Sequence, residues 1–436
     1  MTPAFDELLR REHAESGQPS IAAAVTSGGR TVWSAALGID DGRDGRPVTP
    51  RTQYRIGSIT KTFVAVEVMR LRDEGLLDLA DPIGRHLADV PFGHVTIAQL
   101  LTHTAGLQAE TNGPWWERTP GVDWGTLMSR PPRLAHTPGT RFHYSNVGYA
   151  VLGRLVEVLR DRPWFEVIDD EVLAPLQMSR TTYAPDDDAA VGLSRHPHDD
   201  RLMIEPHHDA RAMAPAGQLW SSVDDLVRWA AFAAGDTGGV LTRSSWDEMV
   251  VPLAVDDRPD EPWATAQALG WRVWPGKGRG RRVGHSGSMP GFLAVLMAEP
   301  ATRTGVVVLT NDTHHLGDVA VALLDAASEA APAPVESELT VPSDVAALVG
   351  DWYWGAAPFR IEPTADGFHL SDAARRRHSR FVREDDHWVG LDTYFAWERL
   401  HLRDDGAIEV ATFVLSRTPY DPEVRHPGGL DPRGWH

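Results

Sequence analysis

"YRIGSITKTFVAVEVMRLRDEG", residues 54–75, decides how the rest of the chain is read. Its opening residues read as a strand end that runs into a long helix closed by Gly75. Phe63, Val64, Val66, Val68, Met69 and Leu71 leave that helix without a polar stripe. A helix apolar on nearly every side is buried rather than half-exposed. Lys61 stands in its first turn, three residues after Ser58, so the two side chains share one face. A serine hydroxyl is a poor nucleophile at neutral pH and needs a base beside it. A lysine amine serves as that base only when burial or neighbouring cations lower its pKa, and an arginine would stay protonated. Of the 42 Lys and Arg residues only Lys61 and Lys277 are lysines. The pair therefore reads as a nucleophile and its base, with the N–H groups of the helix start placed to stabilise an oxyanion. The plain structural alternative makes Ser58 a helix cap and Lys61 a solvated cation.

Composition narrows the classes. The chain has 436 residues, 42% of them hydrophobic, enough for two or three domains with sizeable cores. A net charge of -19 repels phosphate backbones and anionic lipid, so neither nucleic acid nor membrane is expected as a partner. With no cysteine there is no disulfide framework, thiol nucleophile or thiolate metal site. The first residues lack the apolar region of a signal peptide, and no run is long enough to span a membrane, which suggests a cytoplasmic protein. Asparagine is as scarce as lysine, occurring only at positions 112, 146 and 311. Such poverty in Lys and Asn fits a GC-rich genome, and marks the surviving positions as worth testing for chemistry.

Residues 1–18 have the spacing of an amphipathic helix. The stretches around 20–27 and 30–40 read as a hairpin turning at Gly28-Gly29. "VTIAQLLTHTAGL" reads as a helix capped by Thr96, "YSNVGYAVLGRLVEVL" as another, and "SSVDDLVRWAAFAAG" as a third capped by Ser222. "ALGWRVWP", "RRVGHSGS", "GFLAVLMAEP" and "TGVVVLTND" follow as strands, and "VALLDAASEA" as a closing helix. Helices and antiparallel strands interleave without regular alternation, which gives an α+β class for residues 1–330. A Pro- and Ala-rich linker is expected at 331–342. Residues 343–436 show only short strands separated by turn signals, from "VGDWYWG" through "YFAWERLHLR" to "AIEVATFVL", as in a small antiparallel barrel.

Two further motifs fall near the expected helix and strand ends. "YSN" supplies Tyr144, a proton relay or phenolate base, and Asn146, whose carboxamide both donates and accepts. "HSGS" supplies His285 to polarise a substrate, Gly287 to let an extended substrate lie on the strand edge, and Ser288, whose N–H completes an oxyanion hole with that of Ser58.

The order S-x-x-K, Y-x-N, H-x-G resembles the serine β-lactamase and penicillin-binding-protein superfamily, in its branch of class C β-lactamases, D-aminopeptidases, esterases and penicillin-binding-protein-type thioesterases. "LDLADPIGRHL", "VTIAQLLTHTAGL" and "GQLWSSVDDLVRW" look like the same branch. The resemblance spans about residues 5–330. It implies a β-lactamase/transpeptidase-like antiparallel sheet with a helical domain. No G-x-G-x-x-G or Walker-type loop occurs in the sequence, so no cofactor is expected. Ser58 would be the acyl-enzyme nucleophile, Lys61 and Tyr144 would activate it, and Asn146 would orient the acyl donor. His285 departs from the lysine many members hold there. A histidine is only partly charged at pH 7, which puts efficient β-lactam hydrolysis in doubt. The C-terminal strands, with an early Trp352, resemble the lipocalin-like domain appended to some peptidases and to peptide-cyclising thioesterases. The leading expectation is a thioesterase that releases and macrocyclises a nonribosomal peptide, taking a peptidyl thioester on a carrier protein. The alternatives are a cytoplasmic D-stereospecific peptidase or esterase and, in another class, a non-catalytic ligand-binding protein.

Trp115 and Trp116 are candidates to line an acyl-donor pocket or to pack on the neighbouring domain, and Gln218 and Trp220 are further candidates of that kind. Arg279, Arg281 and Arg282 stand where they would attract a carboxylate or an acidic carrier, or simply be solvated. The histidine pairs at 196/198 and 207/208 sit among Pro, Asp and Arg and read as solvated loop, so no metal is expected. His103 reads as a hydrogen-bonded core residue.

Overall fold

The computed structural model describes residues 2–419 apart from 200, 277–279, 315, 332–342, 365, 373, 375–376 and 385. Lys277, Arg279 and nearly all of the expected linker lie outside the described residues, as does the chain beyond 419. The chain divides into two compact units, 1–333 and 334–436.

The first unit is built on an eight-stranded antiparallel sheet. Its strands are β1 (Ser20–Ser27), β2 (Arg30–Gly38), β3 (Ala254–Val255), β4 (Ala266–Gln267), β5 (Arg272–Pro275), β6 (Arg281–Met289), β7 (Phe292–Glu299) and β8 (Thr304–Thr310), in the order β2-β1-β8-β7-β6-β5-β4-β3. The N-terminal hairpin thus joins the C-terminal strands, with Ile21 opposite Thr310 and Ser27 opposite Thr304. Side chains alternate across a sheet. Ile21, Ala23, Val25, Val306 and Val308 face α1 (Thr2–Ser16) and a C-terminal helix, Val319–Ala330. Ala22, Ala24, Val307 and Leu309 join the larger core on the other face.

That larger core holds α2 (Thr60–Asp73), α3 (Asn146–Arg160) and α4 (Val223–Ala233). Apart from Arg70, Arg72 and Asp73, every residue of α2 is buried, as its unbroken apolar surface requires. Phe63 stacks on Trp229 of α4 with ring centroids 4.1 Å apart, and the Trp229 indole donates to Thr62 at 2.8 Å. Thr96 caps its helix in a capping box with Gln99, and Ser222 caps α4.

"ALGWRVWP" is not one strand. It turns at Gly270, whose φ is +85° and where an added Cβ would fall 2.1 Å from that of Ala65 in α2. Only a glycine allows that approach, so the chain folds back there and β5 begins at Arg272.

The second unit is an eight-stranded antiparallel barrel running from Gly350–Trp354 to Phe413–Leu415 in sequential order. It closes through paired backbone bonds between Tyr353 and Ser416, at 2.8 and 2.9 Å. Trp352, Phe359, Ile361, Phe368, Phe381 and Leu400 fill it, and the short helix Ser343–Leu348 adds Val345 and Leu348. "YFAWERLHLR" is likewise not a continuous strand. Thr393 and Trp397 have φ of +54° and +67°, the Phe395 amide donates to Ser379 Oγ, and the strand starts only at Arg399. The barrel agrees with the lipocalin-like architecture its sequence resembles.

Candidate active site

Ser58 sits in a 3-10 turn, Gly57–Ile59, at the entry to α2. The turn is pressed against β6. A Cβ on Gly287 would lie 2.0 Å from the Ile56 carbonyl oxygen, and one on Gly57, at φ +51°, would lie 2.8 Å from the Ser288 amide nitrogen. Glycine at both positions lets the two backbones touch, which brings the N–H groups of Ser58 and Ser288 into the same neighbourhood.

Lys61 Nζ donates to Ser58 Oγ at 2.9 Å and to the Ala216 carbonyl at 2.5 Å. Its side chain is fully buried. Burial pushes the amine from its ordinary 10.5 down to about 7, against the opposing pull of Glu110 and Glu117. An amine so placed exchanges a proton near neutrality. The reading of Lys61 as a solvated cation does not hold.

The Tyr144 ring lies 5.1 Å from Lys61 Nζ, and Tyr144 lines the same cleft as Ser58. Burial drives its pKa well above the ordinary phenol value, against a smaller opposing effect of Ser58. Tyr144 therefore stays protonated, which removes the phenolate-base option and leaves the relay. His285 is 2% exposed, and burial, reinforced by Lys61, lowers it to about 3. It is neutral at pH 7, not partly charged as its type alone suggested. Asn146 opens α3 after the N-cap Ser145, and its amide nitrogen donates to Glu110 Oε1 at 2.5 Å.

Ser58, Tyr144, His285, Gly287 and Ser288 line one cleft of about 590 Å³. Other candidates lie elsewhere. Trp115 is exposed, its indole on Glu117 and its ring 4.7 Å from the Arg118 guanidinium. Trp116 is buried and donates to Glu110 Oε2 at 2.7 Å, forming a wall of a separate 310 Å³ pocket. Gln218 and Trp220 are core residues, not cleft residues. The Gln218 amide is used up by Arg55, Ala210 and Tyr183, and Trp220 packs edge-on against Phe292 in a short ladder with residues 54–55. Arg281 is exposed and donates to the Val250 carbonyl, and Arg282 is buried against Asp325.

Three charged residues that act on Lys61 escaped the motif reading. Glu110 and Glu117 flank the Trp115-Trp116 pair, and both act electrostatically on Lys61. Arg272 lines the cleft from β5, opposite Gly284 and thus beside His285. Pairing "GWRVWP" with "RRVGH" in sequence would have found it. His103 was read as core and is buried. It accepts the Ser145 amide at Nδ1, and its ring lies 4.2 Å from that of Tyr144, a floor for the relay.

An antiparallel sheet backed by helices, with a Ser-x-x-Lys pair where a buried helix abuts the sheet's inner strand, defines the class of serine acyl-transfer folds. The chain belongs to the Beta-lactamase family, which matches residues 5–331. Residues 341–417 match a domain of unknown function, DUF7586. Protein flp of Staphylococcus aureus is 24% identical over 321 residues, covering 70% of this chain and 62% of that protein. The chain thus spans less than two thirds of the length of that relative. Uncharacterized protein MT1414 of Mycobacterium tuberculosis is 32% identical over 279 residues, covering 56% of this chain and 69% of that protein. Among solved structures, SurE aligns at TM-score 0.63 and 24% identity over 95% of this chain and 99% of its own. A D-stereospecific amidohydrolase from Streptomyces sp. aligns at 0.62 and 23% over 74% and 98%. Among the described residues, no helix is long and apolar enough to cross a membrane.

Proposed function

We propose that this protein is an acyl-enzyme-forming serine hydrolase of D-configured peptide, amide or ester donors. The observation that carries the reading is the 2.9 Å contact between Ser58 Oγ and a buried amine whose pKa falls to about 7. Neutral Lys61 takes the Ser58 proton as Oγ attacks the carbonyl carbon. The N–H groups of Ser58 and Ser288 hold the resulting oxyanion. Lys61 returns the proton through the Tyr144 hydroxyl to the leaving group as its bond to the acyl carbon breaks. Water then attacks the ester, giving its proton back along the same route and freeing Ser58. The D-preference is supported by the likeness to the D-stereospecific amidohydrolase fold. The test is incubation with a fluorophosphonate, followed by intact mass. One adduct is expected on the native chain and none on Ser58→Ala. A Ser58→Ala enzyme with full turnover defeats the reading.

A second reading is a thioesterase that releases and cyclises a carrier-bound nonribosomal peptide. It rests on the barrel, whose sequence resembles the domain appended to such enzymes. A peptidyl thioester mimic separates the two. Cyclic product supports the cyclase, and linear acid supports the hydrolase.

A further inference from the structure

The half of β6 nearest the nucleophile has an open edge. β5 pairs with β6 only at Arg281–Gly284, while β7 follows its other side as far as Met289. Among the described residues no strand lies along 285–289 on the β5 side. In the acyl-enzyme reading the carbonyl under attack stands at the Ser288 amide. Every neighbouring pair in this sheet is antiparallel. An extended donor that adds to the open edge in the same sense has a fixed register. The residue bearing the scissile carbonyl lies opposite Ser288, the first departing residue opposite Gly287 and the second opposite Ser286. Residues directly opposite each other share a face of the sheet. The first departing side chain therefore turns to the face of Gly287 and His285, and the second to the face of Ser286.

That second face carries an apolar shelf. Val295 stands opposite Ser286 on β7 and Leu293 opposite Ser288, and both are only half-buried. Leu316, in the loop after β8, is also half-buried and packs, as Val295 does, against the core that α1 covers. The loop is tied on both sides of Leu316. The His314 amide donates to Asp312 Oδ1 at 3.0 Å, and the Gly317 amide to Glu12 Oε1 of α1 at 2.9 Å. Leu293, Val295 and Leu316 line the same 590 Å³ cleft as Ser58. Ser286 is small and exposed, so a branched side chain opposite it reaches across to Val295 and Leu316. We propose that this shelf is the subsite for the second residue after the bond that breaks, and that it takes an apolar L side chain. The inference rests on the acyl-enzyme reading and narrows its substrates to peptides that run at least two residues past the scissile carbonyl, the second of them apolar.

The test measures binding and not turnover. Ser58→Ala protein is titrated calorimetrically with three peptides: D-phenylalanyl-glycyl-L-leucinamide, D-phenylalanyl-glycyl-glycinamide and D-phenylalanyl-L-leucyl-glycinamide. The first is expected to bind at least tenfold tighter than the second. Tenfold is about 1.4 kcal/mol, the removal of about 55 Å² of apolar surface from water. The third places its leucine on the other face and is expected to gain less than threefold over the second. Adding Leu316→Ala shrinks the shelf and adding Val295→Thr makes it polar. Each is expected to bring the first ratio below threefold in a protein that still melts cooperatively. Equal binding of the first two peptides, a larger gain from leucine in the first departing position, no measurable binding of any of the three, or a ratio that neither variant moves overturns the proposal. A protein that shows the preference and resists fluorophosphonate refutes the acyl-enzyme reading instead.

Discussion

Replacing Lys61 with methionine separates its chemical role from its cost to the fold. The stem keeps its packing, while the amine and its bonds to Ser58 and Ala216 are lost. Removing a general base lowers rate by roughly 10²- to 10⁴-fold, about 3 to 5 kcal/mol of barrier. The same amine destabilises the folded state. Its pKa falls from 10.5 to about 7 on folding, so between those values the unfolded chain binds one proton more. Stability therefore rises with pH across that window. At pH 6 the folded amine is charged in a dry site, and the penalty is about 5 kcal/mol. At pH 9 the folded amine is neutral, and about 2 kcal/mol remains. The orphaned Ala216 carbonyl adds a pH-independent offset, so the informative quantity is the difference. Lys61→Met is expected to gain on the native protein by about 3 kcal/mol more at pH 6 than at pH 9. Denaturant unfolding at the two pH values measures it. In parallel, native kcat/KM on a D-configured ester substrate with no titrating amine of its own should climb with an apparent pKa near 7 and level off above it. A stability gap that does not change with pH, or a rate profile flat from pH 5.5 to 9, refutes the claim that burial frees this amine of its proton.

Tyr144→Phe removes the relay hydroxyl and leaves the base, so kcat is expected to fall roughly 10²-fold while the rising limb of the pH profile keeps its position. Steady-state kinetics across pH show both. Gly287→Ala drives a Cβ to 2.0 Å from the Ile56 carbonyl oxygen, forcing the Ser58 turn off β6. Fluorophosphonate labelling should slow at least tenfold in a protein that still melts cooperatively. Trp352→Ala empties the barrel core and frees the Leu348 carbonyl, which receives its indole at 2.7 Å. A loss of about 3–5 kcal/mol is expected, read by denaturant titration of barrel tryptophan fluorescence.

Much of the fold was legible because its signals are local. The unbroken apolar run of α2 demanded burial, the apolar runs of β7 and β8 demanded a covered sheet, and short strands separated by turn signals with Trp352 pointed to a barrel. The two expected strands that broke did so for reasons outside their own residues. Gly270 turns because Ala65 stands behind it, and Phe395 because Ser379 takes its amide. Gln218 and Trp220 looked like cleft residues from their motif neighbourhood. The ladder with residues 54–55 buries Trp220, and bonds with Arg55, Ala210 and Tyr183 hold Gln218 in the core.

The sequence alone determined which chemical groups are available: one serine, one amine three residues on, a phenol, a carboxamide and an imidazole, in an order shared by a known superfamily. Their protonation and orientation were decided in three dimensions. Lys61 has its proton loosened by burial and donates to a carbonyl 155 residues away. Asn146 has its amide turned by Glu110, 36 residues earlier, and Arg272 enters the cleft only through its register against Gly284. Spacing along a chain fixes which side chains share a helix face or strand. Desolvation and hydrogen-bond direction depend on atoms brought from distant segments, and those terms set what each group can do.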